Sequence, residues 1–342
     1  MSEVRPTGET DGAARLAAAA RDRLAVGLAD LRLPDAWRLT EWQRSTVSAL
    51  LDRLVRAIES ELRGALASSF AEEEALHASL GSAHVEIAML ILGAAPPWEP
   101  ALVGALLRRA EEHRLHRGSG DHALLIELAG DDDSAIAAEA MSLLIAQSGR
   151  FDSFQEPVIS RTELPAELEH GLVWTVAAAL RRYIVGTHNI GTADADKAIA
   201  AAAGALLGGY DEGEAIAARS LRLMRRLATA DRLDDEAVVR SLIEGGLPLF
   251  LAAVAIRSGI DPDSAWELLS DPDARGGALL LRGAALGKEA AGTILFRLNA
   301  DTENVAGELD RFEALTPGAA LSLLGLWQAD PAYRAAVARM AS

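Results

Sequence analysis

The hydrophobic residues of this chain recur with the spacing of α-helices over almost its whole length. The longest periodic stretch covers residues 40–68, where apolar side chains at i, i+3, i+4 and i+7 share one helical stripe. A shorter and almost wholly apolar helix is predicted at Leu80–Leu92. Another is predicted at Ser134–Gln147, where Asp132 or Asp133 suits the N-cap position. The pattern predicts a succession of helices separated by short polar breaks.

Short helix pairs fill the stretch Leu233–Leu298, around which the chain is organised. Each segment has apolar residues at helical spacing and ends in Gly, in Asn, or in Asp followed by Pro. No segment can bury its apolar side alone, so neighbouring segments must stack. Aligning Leu233–Gly259 on Ile260–Gly287 gives an imperfect repeat of ~27 residues, which is short for a helical solenoid. A capping side chain precedes Pro at several predicted helix starts: Asp261-Pro262, Asp271-Pro272, Thr316-Pro317 and Asp330-Pro331.

Breaks in the helical pattern divide the chain into predicted parts. Residues 1–11 are predicted to form a disordered tail, and residues 12–148 an N-terminal helical bundle. Gly, Pro and Ser interrupt the pattern at 149–164, which is predicted to be a linker, and residues 165–342 are predicted to form stacked HEAT-like helical hairpins. The long helix at 40–68 also predicts a homodimer, because a wide apolar stripe can pair with a second copy.

The composition favours an all-α fold. Half of the residues are hydrophobic but only 4% are aromatic, so Ala and Leu supply most of the apolar content. Both residues favour helices, whereas a strand-rich protein needs more β-branched and aromatic residues. The longest apolar runs fall well short of the ~20 residues that a membrane-spanning helix needs.

Charge and cysteine content exclude several functions. The formal net charge is −17, which opposes binding to nucleic acid or to an anionic membrane surface. Cysteine is absent, so disulfides, thiolate catalysis and Cys-ligated metal centres are excluded. The polar N-terminus MSEVRPTGETDG lacks the apolar core of a signal peptide, which predicts a cytoplasmic location.

Two stretches carry a family resemblance. They are Arg38–Phe70, RLTEWQRSTVSALLDRLVRAIESELRGALASSF, and Leu227–Gly287, LATADRLDDEAVVRSLIEGGLPLFLAAVAIRSGIDPDSAWELLSDPDARGGALLLRGAALG. Together they resemble a family of alphaproteobacterial helical proteins known mainly as a domain of unknown function. The resemblance implies a bacterial, all-helical, HEAT-like fold. The quoted motifs are helical patterns, so the resemblance implies no active site.

Four arginines form a basic stripe in this acidic chain. The segment ARSLRLMRR places them at spacings of three and four, and they are Arg219, Arg222, Arg225 and Arg226. Since Arg pairs bidentately with carboxylates, the stripe is a candidate docking face for an acidic helix or loop of a partner. The alternative is internal neutralisation by nearby acids, namely Asp211, Glu212, Glu214 and Asp231.

The histidines support two alternative functions. His113, His116 and His122 lie close together in sequence, and imidazoles at this spacing are able to share a metal or a small ligand. The stretch is charged throughout and glycine-containing, so a solvated helix end explains it equally well. His170 and His188 are candidate phosphoryl acceptors of a histidine phosphotransfer component, although the chain has no kinase-type ATP motif. A surface or capping role is the simpler explanation for both.

The sequence GAALGK, residues 283–288, departs from a phosphate-binding loop. The glycines are separated by three residues instead of four, Glu289 follows the lysine, and no strand precedes. Gly287 is instead predicted to be a helix C-cap. With no set of catalytic residues, no cofactor and no metal ligand set identified, the sequence favours a non-enzymatic scaffold or regulatory protein that binds other proteins.

Overall fold

The chain folds into helices, which account for 77% of the residues that a computed structural model describes. The structure describes residues 38–82, 86–93, 98–117, 122–271, 275–299 and 302–341, and within these ranges it contains α-helices and no strand. The all-α prediction is therefore confirmed. The predicted tail at 1–11 and residues 12–37 of the predicted bundle lie outside the described residues.

The helices are α1 Glu41–Ser69, α2 Glu74–Gly81, α3 Ile87–Leu92, α4 Pro100–His116, α5 Ala123–Ala129, α6 Ser134–Ser148, α7 Ala166–His188, α8 Thr192–Leu207, α9 Ile216–Thr229, α10 Asp235–Arg240, α11 Leu247–Ser258, α12 Pro262–Leu269, α13 Gly276–Gly283, α14 Lys288–Leu298, α15 Thr302–Ala314, α16 Pro317–Leu324 and α17 Pro331–Ala341. Short 3₁₀ helices occur at Arg161–Glu163 and Glu212–Glu214, and a π-helical turn at Ser241–Gly245 follows α10. By its internal contacts, the stretch 43–342 is one compact unit.

The long helix α1 occurs where the periodicity predicts it. Its stripe, which includes Leu54, Ile58 and Leu62, is buried within the chain. Two charged residues of the same helix, Glu59 and Arg63, are also buried and form an ion pair at 3.1 Å between Arg63 Nη1 and Glu59 Oε1. The burial of this stripe means that a homodimer through α1 would have to use the opposite, more polar face of the helix.

The single helix predicted at Leu80–Leu92 is wrong, because α2 ends at Gly81 and α3 begins at Ile87. The buried pair on α1 explains the break. Arg63 donates to the carbonyl oxygen of Leu80 at 2.8 Å, a group that a continuing helix would use itself. Glu59 accepts from the backbone N–H groups of Ile87 and Ala88, each at 2.9 Å, and so satisfies the first donors of α3. Side chains of α1 thus provide hydrogen-bond partners for the end of α2 and for the start of α3.

Helix α11 is the centre of the C-terminal part. Ten of its twelve residues are buried, and it packs against α9, α10, α12 and α13. The π-helical turn leads into it through Gly245, where a Cβ atom would lie only 2.4 Å from Leu249 Cδ2. The next residue, Gly246, has φ of +94°, a conformation that side chains disfavour. A larger residue at either position would push α11 away from the core.

From α11 to α15 each helix packs on the next one, and α15 and α16 both pack on α13. This arrangement fits the predicted stack of hairpins, while the HEAT-like repeat itself stays a prediction. The predicted capping residues are confirmed at four helix starts: Asp133 for α6, Asp261 for α12, Thr316 for α16 and Asp330 for α17. Asp271 accepts from the N–H groups of Arg275 and Gly276, so α13 begins later than the Asp-Pro pattern predicts. Pro272 lies outside the described residues.

The segment 149–164 is mostly non-helical. An antiparallel bridge joins Phe151 to Pro157, and a 3₁₀ turn ends the segment with Ser160 as its cap. One hydrophobic cluster, which extends from Leu115 to Leu324, includes side chains from both sides of the segment. The predicted domain division at 149–164 stays a prediction.

Candidate partner-binding surface

Helix α9 carries the basic stripe on one flank of a strongly amphipathic helix. Its apolar side, which includes Leu223, Met224 and Leu227, is buried against α6 and α11. Because a helix turns by about 100° per residue, Arg219, Arg222 and Arg226 lie on one flank and Arg225 lies farther round, opposite the core. The structure therefore places the predicted stripe outside the core.

Two of the four arginines tie α9 to α6. Arg222 Nε lies 3.1 Å from Glu139 Oε2 on α6. Arg219 donates to the hydroxyl of Ser142, also on α6, and its Nη1 lies 3.4 Å from the backbone oxygen of that residue. As the chain position rises on α9 it falls on α6, so the two helices run antiparallel. Arg219 and Arg222 thus have a structural role.

The hypothesis of internal neutralisation holds for part of the stripe. Glu214 pairs with Arg219, as the sequence predicts. Asp211 instead caps its own 3₁₀ turn by accepting from Gly213 N at 2.9 Å. The partner that sequence reasoning missed is Glu139, which is 83 positions away from Arg222. No local pattern identifies such a contact.

Arg225 and Arg226 are the exposed part of the stripe. Among the residues that the structure describes, neither guanidinium makes a hydrogen bond or an ion pair. Most arginines in the described part of the chain are engaged by other groups, and Arg225 and Arg226 are two adjacent guanidinium groups that are not. They are available to an outside ligand at no cost in internal contacts.

Beside this stripe, the outer face of α6 is apolar. Met141 is 45% exposed and Ile145 is 66% exposed, and Ala138 lies on the same face. Spacings of three and four align these residues in one stripe. Met141 directly precedes Ser142, so the apolar stripe runs alongside the seam between α6 and α9. This face is only weakly indicated by the sequence. Helix α6 is apolar on nearly all sides, and at least one side of such a helix must face solvent or a partner.

A buried charge network holds the segment 149–164 against α4, and the sequence did not predict it. Arg150 lies 2.7 Å from Glu112 Oε2 and 2.8 Å from Glu163 Oε2. Arg109 lies 3.3 Å from the same Glu112 oxygen and donates to the carbonyl oxygen of Val158 at 3.0 Å. Burial lowers the pKa of Arg109 to about 10, and the nearby Arg150 adds to this effect. Burial also opposes the charge of Arg150, but Glu112 and Glu163 outweigh it and raise its pKa.

Three predicted histidines do come together, around an aromatic ring. His116 stacks on Phe151 at 4.7 Å and on His122 at 5.2 Å, and His113 lies 5.9 Å from Phe151. His113 is buried, and its Nδ1 atom has no hydrogen-bond partner. Desolvation lowers the pKa of His113, with repulsion from Arg109 as the next cause. In the described part of the chain, no three His, Asp or Glu side chains form a group that would hold a metal.

The two candidate phosphoryl acceptors have different surroundings. His170 is exposed on α7, and its Nε2 atom accepts a hydrogen bond from Trp174 Nε1 at 3.1 Å. His188 is half-buried at the end of α7, where its ring packs edge-on against Tyr183 at 5.2 Å and its Nε2 atom is buried. Neither arrangement favours phosphotransfer over a packing role, so the phosphotransfer alternative stays a prediction.

The GAALGK sequence forms a connection between helices and binds a carboxylate. Helix α13 ends at Gly283, and Gly287 is the N-cap of α14, so the predicted C-cap role of Gly287 is wrong. The physical reason is the left-handed backbone at Ala285, with φ of +56°, which stops the helix two residues before Gly287 is reached. Asp235 accepts the backbone N–H of Gly287 at 2.8 Å, and Lys288 pairs with Glu313.

A polar cavity of about 370 Å³ lies between α1 and α2. Its lining includes Glu59, Arg63 and the ion pair between Arg56 and Glu86, with 2.9 Å between Arg56 Nε and Glu86 Oε1. The buried charges in this lining are satisfied by one another and by the ends of α2 and α3, as described above. The packing of α1 against the ends of α2 and α3 therefore accounts for the charged lining of this cavity.

The helical fold and the surface on α6 and α9 together define the class of protein. This is an all-helical protein with an apolar core and a mixed basic and apolar face on α6 and α9. The chain belongs to the family described as an uncharacterised protein conserved in bacteria (DUF2336), whose model matches residues 116–316. The predicted resemblance to a bacterial domain of unknown function is therefore confirmed. The match includes α6, α9 and the stretch 227–287, while the resembling stretch 38–70 lies outside it.

Comparison with known proteins adds no further relative. No curated protein matches this chain, and no solved structure matches it. In the described ranges, no helix is both long and apolar enough to cross a membrane.

Proposed function

We propose that this protein is a non-enzymatic helical scaffold or regulator that binds other proteins in the bacterial cytoplasm, with α9 as its docking element. The observation that supports the proposal is the pair Arg225 and Arg226, which are exposed and make no ion pair in the described chain. A protein of net charge −17 has abundant carboxylates with which to neutralise them. Leaving them unpaired on the surface suits recognition of an acidic partner, because guanidinium groups bind carboxylates in a defined geometry.

The packing of consecutive helices from α11 to α14 fits the same proposal. Stacked helical hairpins offer extended surfaces that bind other proteins. The charged groups of the interior, such as Arg109, Glu112 and Arg150, have one another as partners, which is typical of a structural network. The candidate histidines identified from the sequence also make ring contacts or hydrogen bonds within the chain.

A capture experiment from the lysate of the native host tests the proposal. The test variant is Arg225→Glu with Arg226→Glu, because Arg219 and Arg222 hold α6 and their replacement would disturb the fold. The matched control is Arg182→Glu with Arg275→Glu, which makes the same change in net charge at two other exposed arginines. We expect a stoichiometric protein that wild type and control capture and the test variant loses. Equal capture by all three, or capture of nothing, would contradict the proposal.

The homodimer predicted through residues 40–68 is a separate expectation. The apolar stripe of α1 is already buried inside the chain, so α1 would have to pair through exposed small and polar residues such as Ser60 and Gly64. Light scattering of the purified protein measures its mass. A mass near 36.0 kDa corresponds to a monomer and would rule out the dimer at the concentration used.

A further inference from the structure

We infer that the joint surface of α6 and α9 binds an amphipathic helix whose apolar side is flanked by carboxylates. This inference rests on the proposed function and names the kind of partner that the surface fits. The surface consists of the apolar stripe on α6, made of Ala138, Met141 and Ile145, and the arginine stripe on α9. We call it the α6–α9 surface.

The two stripes run side by side because the helices are antiparallel neighbours. Arg219 reaches Ser142 and Arg222 reaches Glu139, so the seam between the helices follows these contacts. Extending the same register one turn further places Arg226 across from the start of α6. Met141 and Ile145 lie on the solvent side of the seam. A helix that lies along the seam would meet apolar side chains on one edge and guanidinium groups on the other.

The dimensions fit a helix. From Ala138 to Ile145 the stripe advances about 10 Å at a rise of about 1.5 Å per residue. A partner helix that presents apolar residues at i, i+3 or i+4, and i+7 covers the same length with about two turns. An extended peptide that adds to a sheet edge has no counterpart here, because the described ranges contain no strand. Met141 suits such an interface, since its flexible thioether adapts to different apolar partners.

The charge selects an acidic partner. Arg225 and Arg226 add two positive charges that no internal carboxylate neutralises in the described chain, while Arg219 and Arg222 are each paired with one glutamate. The α9 edge of the surface therefore carries two guanidinium groups without an internal ion pair, in a chain of net charge −17. Charge complementarity at the rim of an interface chiefly raises the association rate and excludes like-charged competitors. A helix with lysine on its flank would be such a competitor.

Two exposed apolar side chains on α16, which lie on different sides of that helix, provide a control. Leu321 and Leu323 on α16 are exposed to a similar degree as Met141 and Ile145. The α16 segment PGAALSLL contains no charged side chain. Apolar exposure is therefore similar in the two places, and the arginine stripe distinguishes the α6–α9 surface.

Designed helical peptides test the inference. One peptide has leucines along one side and glutamates on the flank, and its counterpart has lysines in place of the glutamates. Fluorescence anisotropy measures the binding of each to the full-length protein at concentrations up to ~1 mM, so that even weak binding is detected. We expect the glutamate peptide to bind wild type at least ~10-fold more tightly than the lysine peptide, a ratio equal to about 1.4 kcal/mol.

Two double variants locate the binding. Met141→Ser with Ile145→Ser should weaken the glutamate peptide by ~10-fold or more, and Leu321→Ser with Leu323→Ser should leave it unchanged. If circular dichroism shows that the first variant is unfolded, the single change Ile145→Ser replaces it, because that side chain is the more exposed. Equal binding of both peptides, no binding of the glutamate peptide, or equal loss in the α16 variant would overturn the inference.

The lysate experiment separates this inference from the proposed function. If the Arg225 and Arg226 variant loses the captured protein while the Met141 and Ile145 variant keeps it, the α6–α9 surface does not bind through its apolar stripe. The proposed function would then still stand. If neither variant loses the captured protein, both proposals fail.

Discussion

Helix α11 is buried, whereas the segment 149–164 is largely at the surface and buries only a few residues, and the two are held in place by different forces. Helix α11 is buried among apolar side chains of α9, α12 and α13. The segment 149–164 is held by Arg109, Glu112, Arg150 and Glu163, which are buried or nearly so and lie within 3.3 Å of one another in pairs. Apolar packing is non-directional and tolerates some change in shape, whereas a buried ion pair depends on every partner.

This difference determines what each region tolerates. The α11 core should lose stability in proportion to the volume removed, and polar changes at the surface should hardly affect it. The charge network should be sensitive to the loss of a single carboxylate oxygen. Four predictions follow this contrast from large to small effects on stability.

The largest effect is expected for Phe250→Ala in α11. The ring of Phe250 is fully buried, so its removal leaves a cavity and should lower the free energy of unfolding by ~4 kcal/mol. The control is Phe296→Ala on α14, where the ring is 65% exposed and a change below ~0.5 kcal/mol is expected. Urea unfolding followed by circular dichroism measures both. Equal effects would show that α11 is not the centre of the core.

The next effect is expected for Glu112→Gln. This change removes the negative charge that Arg109 and Arg150 share. It should lower the free energy of unfolding by ~3 kcal/mol, because two guanidinium groups stay buried with too few negative partners. The neighbouring Glu111→Gln is the control, since Glu111 pairs with a half-buried Arg114 and should cost below ~1 kcal/mol. The same unfolding experiment applies. If Glu112→Gln lowers the free energy of unfolding no more than Glu111→Gln does, the charge network does not stabilise the fold.

A smaller, pH-dependent effect is expected at His113. Burial lowers its pKa below the ordinary value of about 6.5, so the unfolded chain takes up the proton more readily than the folded one. The stability that depends on neutral His113 is therefore complete above about pH 6.5 and declines as the pH falls toward the lowered pKa. We expect His113→Gln to flatten this decline between pH 7.5 and 5.5.

The control for that measurement is His170→Gln, because His170 is exposed on α7. It should leave the pH dependence of the free energy of unfolding unchanged. A wild-type curve as flat as that of His113→Gln would mean that His113 is readily protonated in the folded protein.

The smallest effect on stability is expected for Arg225→Glu with Arg226→Glu. Both side chains are exposed and unpaired in the described chain, but Arg226 lies in the last turn of α9, where a negative charge opposes the helix dipole, so the free energy of unfolding should fall by no more than ~1 kcal/mol. Thermal unfolding of this variant beside wild type checks the value. A larger loss would show that the two arginines stabilise the fold, and it would remove the reason to assign them to a partner.

The sequence predicts the fold class and most helices because the information is local. The spacing of Leu54, Ile58 and Leu62 predicts α1, and side chains such as Asp133 and Asp261 predict where helices begin. Helical periodicity and N-caps depend on residues within one or two turns of each other. The apolar composition of Leu247–Ser258 likewise predicts a buried helix.

The rest depends on contacts between distant residues. The break between α2 and α3 is caused by Glu59 and Arg63 on α1, and the partner of Arg222 is Glu139 on another helix. Arg150 and Glu112 meet only after the chain has folded back on α4. The stripe of four arginines is visible in the sequence, but its division into two bound and two exposed side chains is not.

Hydrogen–deuterium exchange of the captured complex tests whether the partner docks on the α6–α9 surface. The complex and the free protein are exchanged in parallel, and the amide exchange of each segment is compared by mass spectrometry. We expect slower exchange in residues 134–148 and 216–229 when the partner is bound, with no change in residues 166–207. Slower exchange confined to other segments, with 134–148 and 216–229 unaffected, would contradict a docking role for the α6–α9 surface.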